Sequence, residues 1–313
     1  MRRVLRLGLS MFAVSALLLA TAGPSSAQVG GIHVLKIKGA HPVHHKGGIL
    51  LFSHGGAIET SAVVFIDYWG PQWAAGFSTG GYTSTQAQTY VQTFFSNVGG
   101  SSWANSTTQY CQGVASGTTV CPTGAAHPTN LKGELAGTWN DPTPLPYTVR
   151  DADIANAALR AVAHFGYNAN ANYMVFTPSG HSTNGFKTTY CAYHSSTRSS
   201  SGSVAFSYMP YQPDAATSCG MNFVNPTDNA FGNGYFDGFS IVGGHEYGET
   251  VTDPFPSGGW LDGSGAENGD KCAWISSGQG AAANISLGSN SFAVQSLWSN
   301  AFNSRAGGCV LSY

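Results

Sequence analysis

Charge is what this chain lacks most. Asp, Glu, Lys and Arg together make up 9% of its 313 residues, against roughly 25% in an ordinary soluble domain. A disordered polyelectrolyte is therefore excluded. Cationic excess is missing as well, with 13 Lys and Arg against 15 Asp and Glu. Nucleic-acid binding thus has no electrostatic footprint to rest on. There is no C-x-x-C, and no cysteine pair has zinc-finger spacing, so structural zinc on sulfur is not expected. Internal repeats and clear interdomain linkers are absent too. What is present is 42% hydrophobic residues, enough for a sizeable core, and 41 glycines with abundant Ser, Thr and Asn. Those residues imply many turns and a surface of hydroxyls and amides.

One apolar run stands out. Arg2, Arg3 and Arg6 precede a mostly apolar stretch from Leu7 to Ala22, and Ser25-Ser26-Ala27 follows as a small-residue cleavage site. The stretch falls short of the roughly 18 apolar residues wanted for a membrane span and has the layout of a secretory signal. Residues 1–27 are expected to be a signal peptide, and the mature chain a secreted, extracellular protein without membrane attachment. Cys111, Cys121, Cys191, Cys219, Cys272 and Cys309 all lie in the exported part. An even count in an oxidising compartment reads as three disulfides, for which 15 pairings exist. Sequential pairing is preferred because it closes three local loops.

Residues 28–48, rich in Gly, His and Lys, lack periodicity and read as a flexible lead-in or short pro-segment. Ordered structure is expected over 49–313. Strands are expected at 49–53, 62–68, 173–177, 188–193 and 204–208, and near 292–298 and 310–313. Helices are expected at 84–98, at 151–165 capped by Asp151, and from about Phe236 to Thr252. One α+β domain of this size accommodates them all.

The acids are unevenly placed. Asp237, Glu246, Glu249, Asp253, Asp262, Glu267 and Asp270 fall in one segment that holds no Lys or Arg. They are interleaved with Phe239, Ile241, Val242, Trp260 and Leu261. Carboxylates held near apolar surface without cations must protonate or find a counter-ion, and a divalent metal is one. Within the segment, His245-Glu246-Tyr247-Gly248-Glu249 spells H-E-x-x-E. On a helix His245 and Glu249 stack on one face at i and i+4 and can meet one ion. Glu246 can then reach a metal-bound water as its base, as in H-E-x-x-H peptidases. Glu267 is the expected third ligand, with Asp253, Asp262 and Asp270 as rivals. His194, Tyr193 and His181, beside strand ends, are candidates for polarising a substrate carbonyl. His127 and His164 read as structural, and His54 as a strand-end residue. Gly243 and Gly244 suit a helix approached closely by another element or by substrate.

The block from His245 to Cys272, HEYGETVTDPFPSGGWLDGSGAENGDKC, resembles the secreted EXORDIUM-like, or phosphate-induced, protein family. Cys191-Ala-Tyr-His194-Ser with Val204-Ala-Phe-Ser-Tyr, and Leu51-Phe-Ser-His-Gly-Gly56 with Val64-Phe-Ile-Asp-Tyr-Trp69, are also similar to it. The resemblance implies a zincin-like mixed sheet with an active-site helix in a single disulfide-stapled domain. By position it implies His245, Glu249 and Glu267 as metal ligands and Glu246 as base. Glu249 in place of a second His makes the site richer in oxygen, so calcium or manganese joins zinc as a candidate ion.

Two readings follow. The first is a monomeric metallopeptidase, a zinc hydrolase that cuts extracellular proteins or peptides through a metal-activated water with Glu246 as general base and His194 assisting. The second is a non-catalytic extracellular binding or signalling protein with a structural metal site. A serine hydrolase around Ser179 and a glycosidase using Glu246 and Asp262 are weaker competitors.

Overall fold

The computed structural model describes residues 27–40 and 50–313. The expected signal segment lies outside these residues except for Ala27. Six strands form the main sheet: β1 (His33–Lys36), β2 (Val63–Trp69), β3 (Leu135–Asp141), β4 (Ala171–Phe176), β5 (Tyr190–Ser199) and β6 (Gly202–Met209). Their spatial order is β1-β5-β6-β4-β2-β3. The strands β6, β4, β2 and β3 run parallel to their neighbours, whereas β5 is antiparallel to both β6 and β1. The sheet is therefore mixed and the class is α+β.

Three long helices cover it: α1 (Ser84–Val98), α2 (Asp151–Phe165) and α3 (Asp237–Thr252). Alternation along β5 shows which face each one takes. Tyr193 donates its hydroxyl to Asp151 at the start of α2 (3.0 Å). The adjacent His194 points the other way and meets Glu246 and Glu249 of α3. Asn172 of β4 also faces α3, donating to Ser207 of β6 (2.8 Å) and to Thr250 (3.1 Å). The helix α1 starts in a capping box, with Thr83 and Gln86 bonded reciprocally, which satisfies N–H groups left open at a helix start. At α2 the cap is not Asp151. That residue is the first of the helix and accepts from Tyr193, while Asp153 accepts the Arg150 N–H (2.9 Å).

Every residue of α3 is buried, which is unusual for a helix carrying three acids and one His. Four glycines let the surrounding layers come close. A Cβ on Gly243 would lie 3.2 Å from Phe95, and one on Gly244 would lie 3.2 Å from Trp103. The close neighbours at Gly243 and Gly244 are therefore protein.

Three expectations need correction. Where the resemblance to the family implies a zincin-like class with a single disulfide staple, the chain has three disulfides, the number that its six cysteines indicate. They are Cys111–Cys121, Cys191–Cys219 and Cys272–Cys309. Each closes its own local loop, so one staple could not serve all three, and the pairing is the sequential one. Second, the stretch 28–48 is not wholly a lead-in. His33–Lys36 is an edge strand whose Leu35 is fully buried, because the edge of β5 offers open backbone groups to pair with. Residues 41–49 lie outside the described residues. Third, β3 went unread. Its sequence, LAGTWND, is poor in β-branched residues, and its half-exposed pattern fits an edge position.

Candidate metal centre

The site forms where α3, β5, β1 and the loop after Trp260 converge. The helix supplies His245, Glu246 and Glu249; the sheet supplies His194 and His33; the loop supplies Glu267 and Asp270. His194, His245, Glu246, Glu249 and Glu267 are all fully buried at 0% exposure. Only the side chains of His33 and Asp270 keep some contact with solvent.

Three imidazoles and three carboxylates alternate around a closed ring. His33 Nδ1 lies 3.5 Å from Glu267 Oε1, and Glu267 Oε2 lies 3.5 Å from His194 Nε2. His194 Nδ1 is 3.5 Å from Glu249 Oε2, and Glu249 Oε1 is 3.0 Å from His245 Nε2. His245 Nε2 is 3.9 Å from Asp270 Oδ1, and His33 Nε2 donates to Asp270 Oδ2 at 2.5 Å. Glu246 joins through its Oε2, 3.4 Å from His194 Nδ1. The edges of 3.0–3.9 Å match the spacing of donors around an ion with bonds of about 2.0–2.2 Å, and the shorter His33–Asp270 contact is a hydrogen bond.

Backbone and neighbouring amides hold the ring in place. The Asp270 N–H donates to Glu249 Oε1 (2.9 Å). His245 Nδ1 donates to Gln295 Oε1 (3.3 Å), and Gln295 in turn donates to the Gly269 carbonyl (2.8 Å). That leaves His245 Nε2 free to face the ring, the kind of support ligating imidazoles usually have. Gly269 lies against both groups, since a Cβ there would sit 2.7 Å from His245 Nδ1 and 2.9 Å from Glu249 Oε1. Cys191–Cys219 and Cys272–Cys309 anchor the chain close to His194 and Asp270.

The donors fit a metal on a direct observation. Both nitrogens of His194, His245 Nε2, both oxygens of Glu246 and of Glu267, and Glu249 Oε2 are buried without a hydrogen-bond partner. Unpartnered buried polar atoms are costly, and so many in one place call for a cation. Protein groups alone settle the site only by moving protons. Burial disfavours the His194 cation, yet Glu246 and Glu249 raise its pKa to about 10. Burial disfavours the His245 cation likewise, and Glu249 with Glu246 and Asp270 raise it to about 9. Burial pushes Glu246 up, and it pushes Glu267 far up with help from Glu249, Asp253 and Asp270. Burial also penalises the Glu249 carboxylate, but His245 and His194 hold it well below the usual range. Donor atoms fall into three triads, each within 4.8 Å: His33, Glu249 and Glu267; His194, Glu246 and Glu249; His245, Glu249 and Asp270. The chain therefore has residue clusters capable of holding a divalent metal ion.

Other candidates lie elsewhere. Asp253 accepts three backbone N–H groups, from Ser257, Gly258 and Gly259, and so holds the turn after α3. Asp262 is engaged by Lys271 Nζ (2.7 Å) and by Ser264, which removes it from the metal and from a carboxylate pair with Glu246. His194 sits inside the ring and not across from it. Tyr193 points to the opposite face of the sheet, and His181 accepts from Gln72 (3.2 Å). His54 stacks on Phe52, His127 donates to the Thr108 carbonyl (2.9 Å), and His164 stacks on Trp139. Ser179 donates to Asp214 (2.7 Å). A G-x-S-x-G string, Gly76 to Gly80, lies at a short hairpin with Ser78 exposed, not at a strand-to-helix elbow.

Sequence reading missed His33 as a member of the site and cast His194 in a different role. No local spacing reveals either, because both reach the helix only through strand pairing. The shared signal is a His in a short β-prone run, which is weak. Among the described residues no helix is long and apolar enough to cross a membrane. No family model, curated protein or solved structure matches the chain.

Proposed function

We propose that this is a secreted, non-catalytic binding or signalling protein whose fold is fastened by a buried metal centre. The observation that carries the reading is closure: five of the seven residues of the site have no solvent exposure. Structural metal sites are closed by protein donors, whereas catalytic ones keep a position open. Glu246, which a peptidase would need as a base beside substrate, is buried within the ring next to His194. The mix of imidazole and carboxylate favours zinc or manganese over calcium, which prefers oxygen alone. Secretion is supported by the Arg-led apolar start of the sequence and by three disulfides with no free cysteine among the described residues. The likeness of the His245–Cys272 block to secreted EXORDIUM-like proteins supports the same compartment.

The test is metal analysis of purified protein, then melting and a mixed-peptide digest with and without chelator. Bound metal, a lower melting temperature after chelation and intact peptides are expected. Chelator-sensitive cleavage would instead establish the metallopeptidase reading, with Glu246 as base.

A further inference from the structure

Glu249 belongs to all three donor triads. Its two oxygens do different things: Oε1 faces His245 Nε2 at 3.0 Å, and Oε2 faces His194 Nδ1 at 3.5 Å. A carboxylate that turns one oxygen to each of two separate imidazoles has the arrangement of a bridge. On the Oε1 side stands His245, which also neighbours Asp270 Oδ1 (3.9 Å); on the Oε2 side stands His194, which also neighbours Glu246 Oε2 (3.4 Å). Each side is thus one imidazole and two carboxylates, Glu249 being common to both. His33 and Glu267 form the third triad with Glu249 and border the same space.

Resting on the metal-fastened reading above, we propose that the centre is dinuclear, with Glu249 bridging two divalent cations. Donor number supports two ions. Six side chains offering one donor each and Glu249 offering both oxygens make eight donors, the complement of two four-coordinate ions. Charge supports two as well. Glu246, Glu249, Glu267 and Asp270 bring four negative charges, and Lys271, the cation next in sequence, is committed to Asp262 at 2.7 Å. One divalent ion leaves two negative charges uncompensated in a buried site, whereas two bring it to neutrality. Uncompensated buried charge is strongly disfavoured.

The test uses the full secreted chain, stripped with chelator and reloaded with Mn²⁺. Metal per chain is measured by elemental analysis, and spin coupling by electron paramagnetic resonance. Two Mn²⁺ per chain with an exchange-coupled spectrum are expected. Asp270→Asn, at the partly exposed end, should bind one Mn²⁺ with an uncoupled spectrum while circular dichroism shows the fold retained. One ion per chain in the unaltered protein overturns the dinuclear centre and leaves the metal-fastened reading standing. No bound ion overturns both.

Discussion

His33 lies directly opposite His194 across the β1–β5 ladder, with the two rings 5.6 Å apart. Strand pairing alone brings the edge strand's imidazole to the helix that carries the H-E-x-x-E motif. Main-chain hydrogen bonds and ring contacts therefore support one another. The N-terminal strand is part of the site, tied to the loop by the bond from His33 Nε2 to Asp270.

It follows that His33→Ala should weaken metal binding by roughly 10–100-fold, the range seen when supporting or ligating groups are lost. A competition titration against a chelating dye measures this. Unchanged affinity would mean that His33 only covers the site.

Glu246→Gln tests ligand against base. A ligand loses its negative charge on this change, so metal content should fall while secondary structure by circular dichroism persists. Full metal content in the variant would return Glu246 to the role of a base.

Gly269→Ala should lower stability by about 1–3 kcal/mol, the usual cost of forcing atoms into a packed site. The added methyl would meet His245 Nδ1 at 2.7 Å. Gly263→Ala, where a Cβ meets nothing within 4 Å, is the control and should leave the denaturant midpoint unmoved. Equal effects at both positions would contradict the close approach.

Glu134 gives a pH signature outside the ring. Burial raises its carboxyl to about 7, against the opposing hydrogen bond from Tyr247. The Tyr247 hydroxyl donates to Glu134 Oε2 at 2.5 Å. An acid that keeps its proton longer when folded stabilises most below its unfolded pKa. That contribution fades as pH climbs from about 4.5 through about 7. Glu134→Gln should remove this slope and raise stability at pH 8 by at most about 2–3 kcal/mol. Urea melts at pH 5 and 8 measure it, and an unchanged slope would place the titration elsewhere.

The sequence by itself determined what depends on neighbours along the chain. The helices α1 and α2 follow from apolar periodicity and local end signals, and α3 from its stop at Asp253-Pro254. His245 and Glu249 meet because i and i+4 share a helix face, and the disulfides pair sequentially because their loops are local. Glu267 was legible as the expected third ligand and Asp270 as one of its rivals, though nothing in the sequence separated Asp270 from Asp253 and Asp262. That distinction came from what engages each carboxylate: backbone N–H groups hold Asp253, and Lys271 holds Asp262. The tertiary structure alone decided that His33 and His194 join the ring, that β3 is an edge strand, and that all of the site but its His33–Asp270 end is shut off from solvent. All three depend on which strands pair and which face meets α3, and sheet pairing between distant segments leaves no periodic trace in either of them.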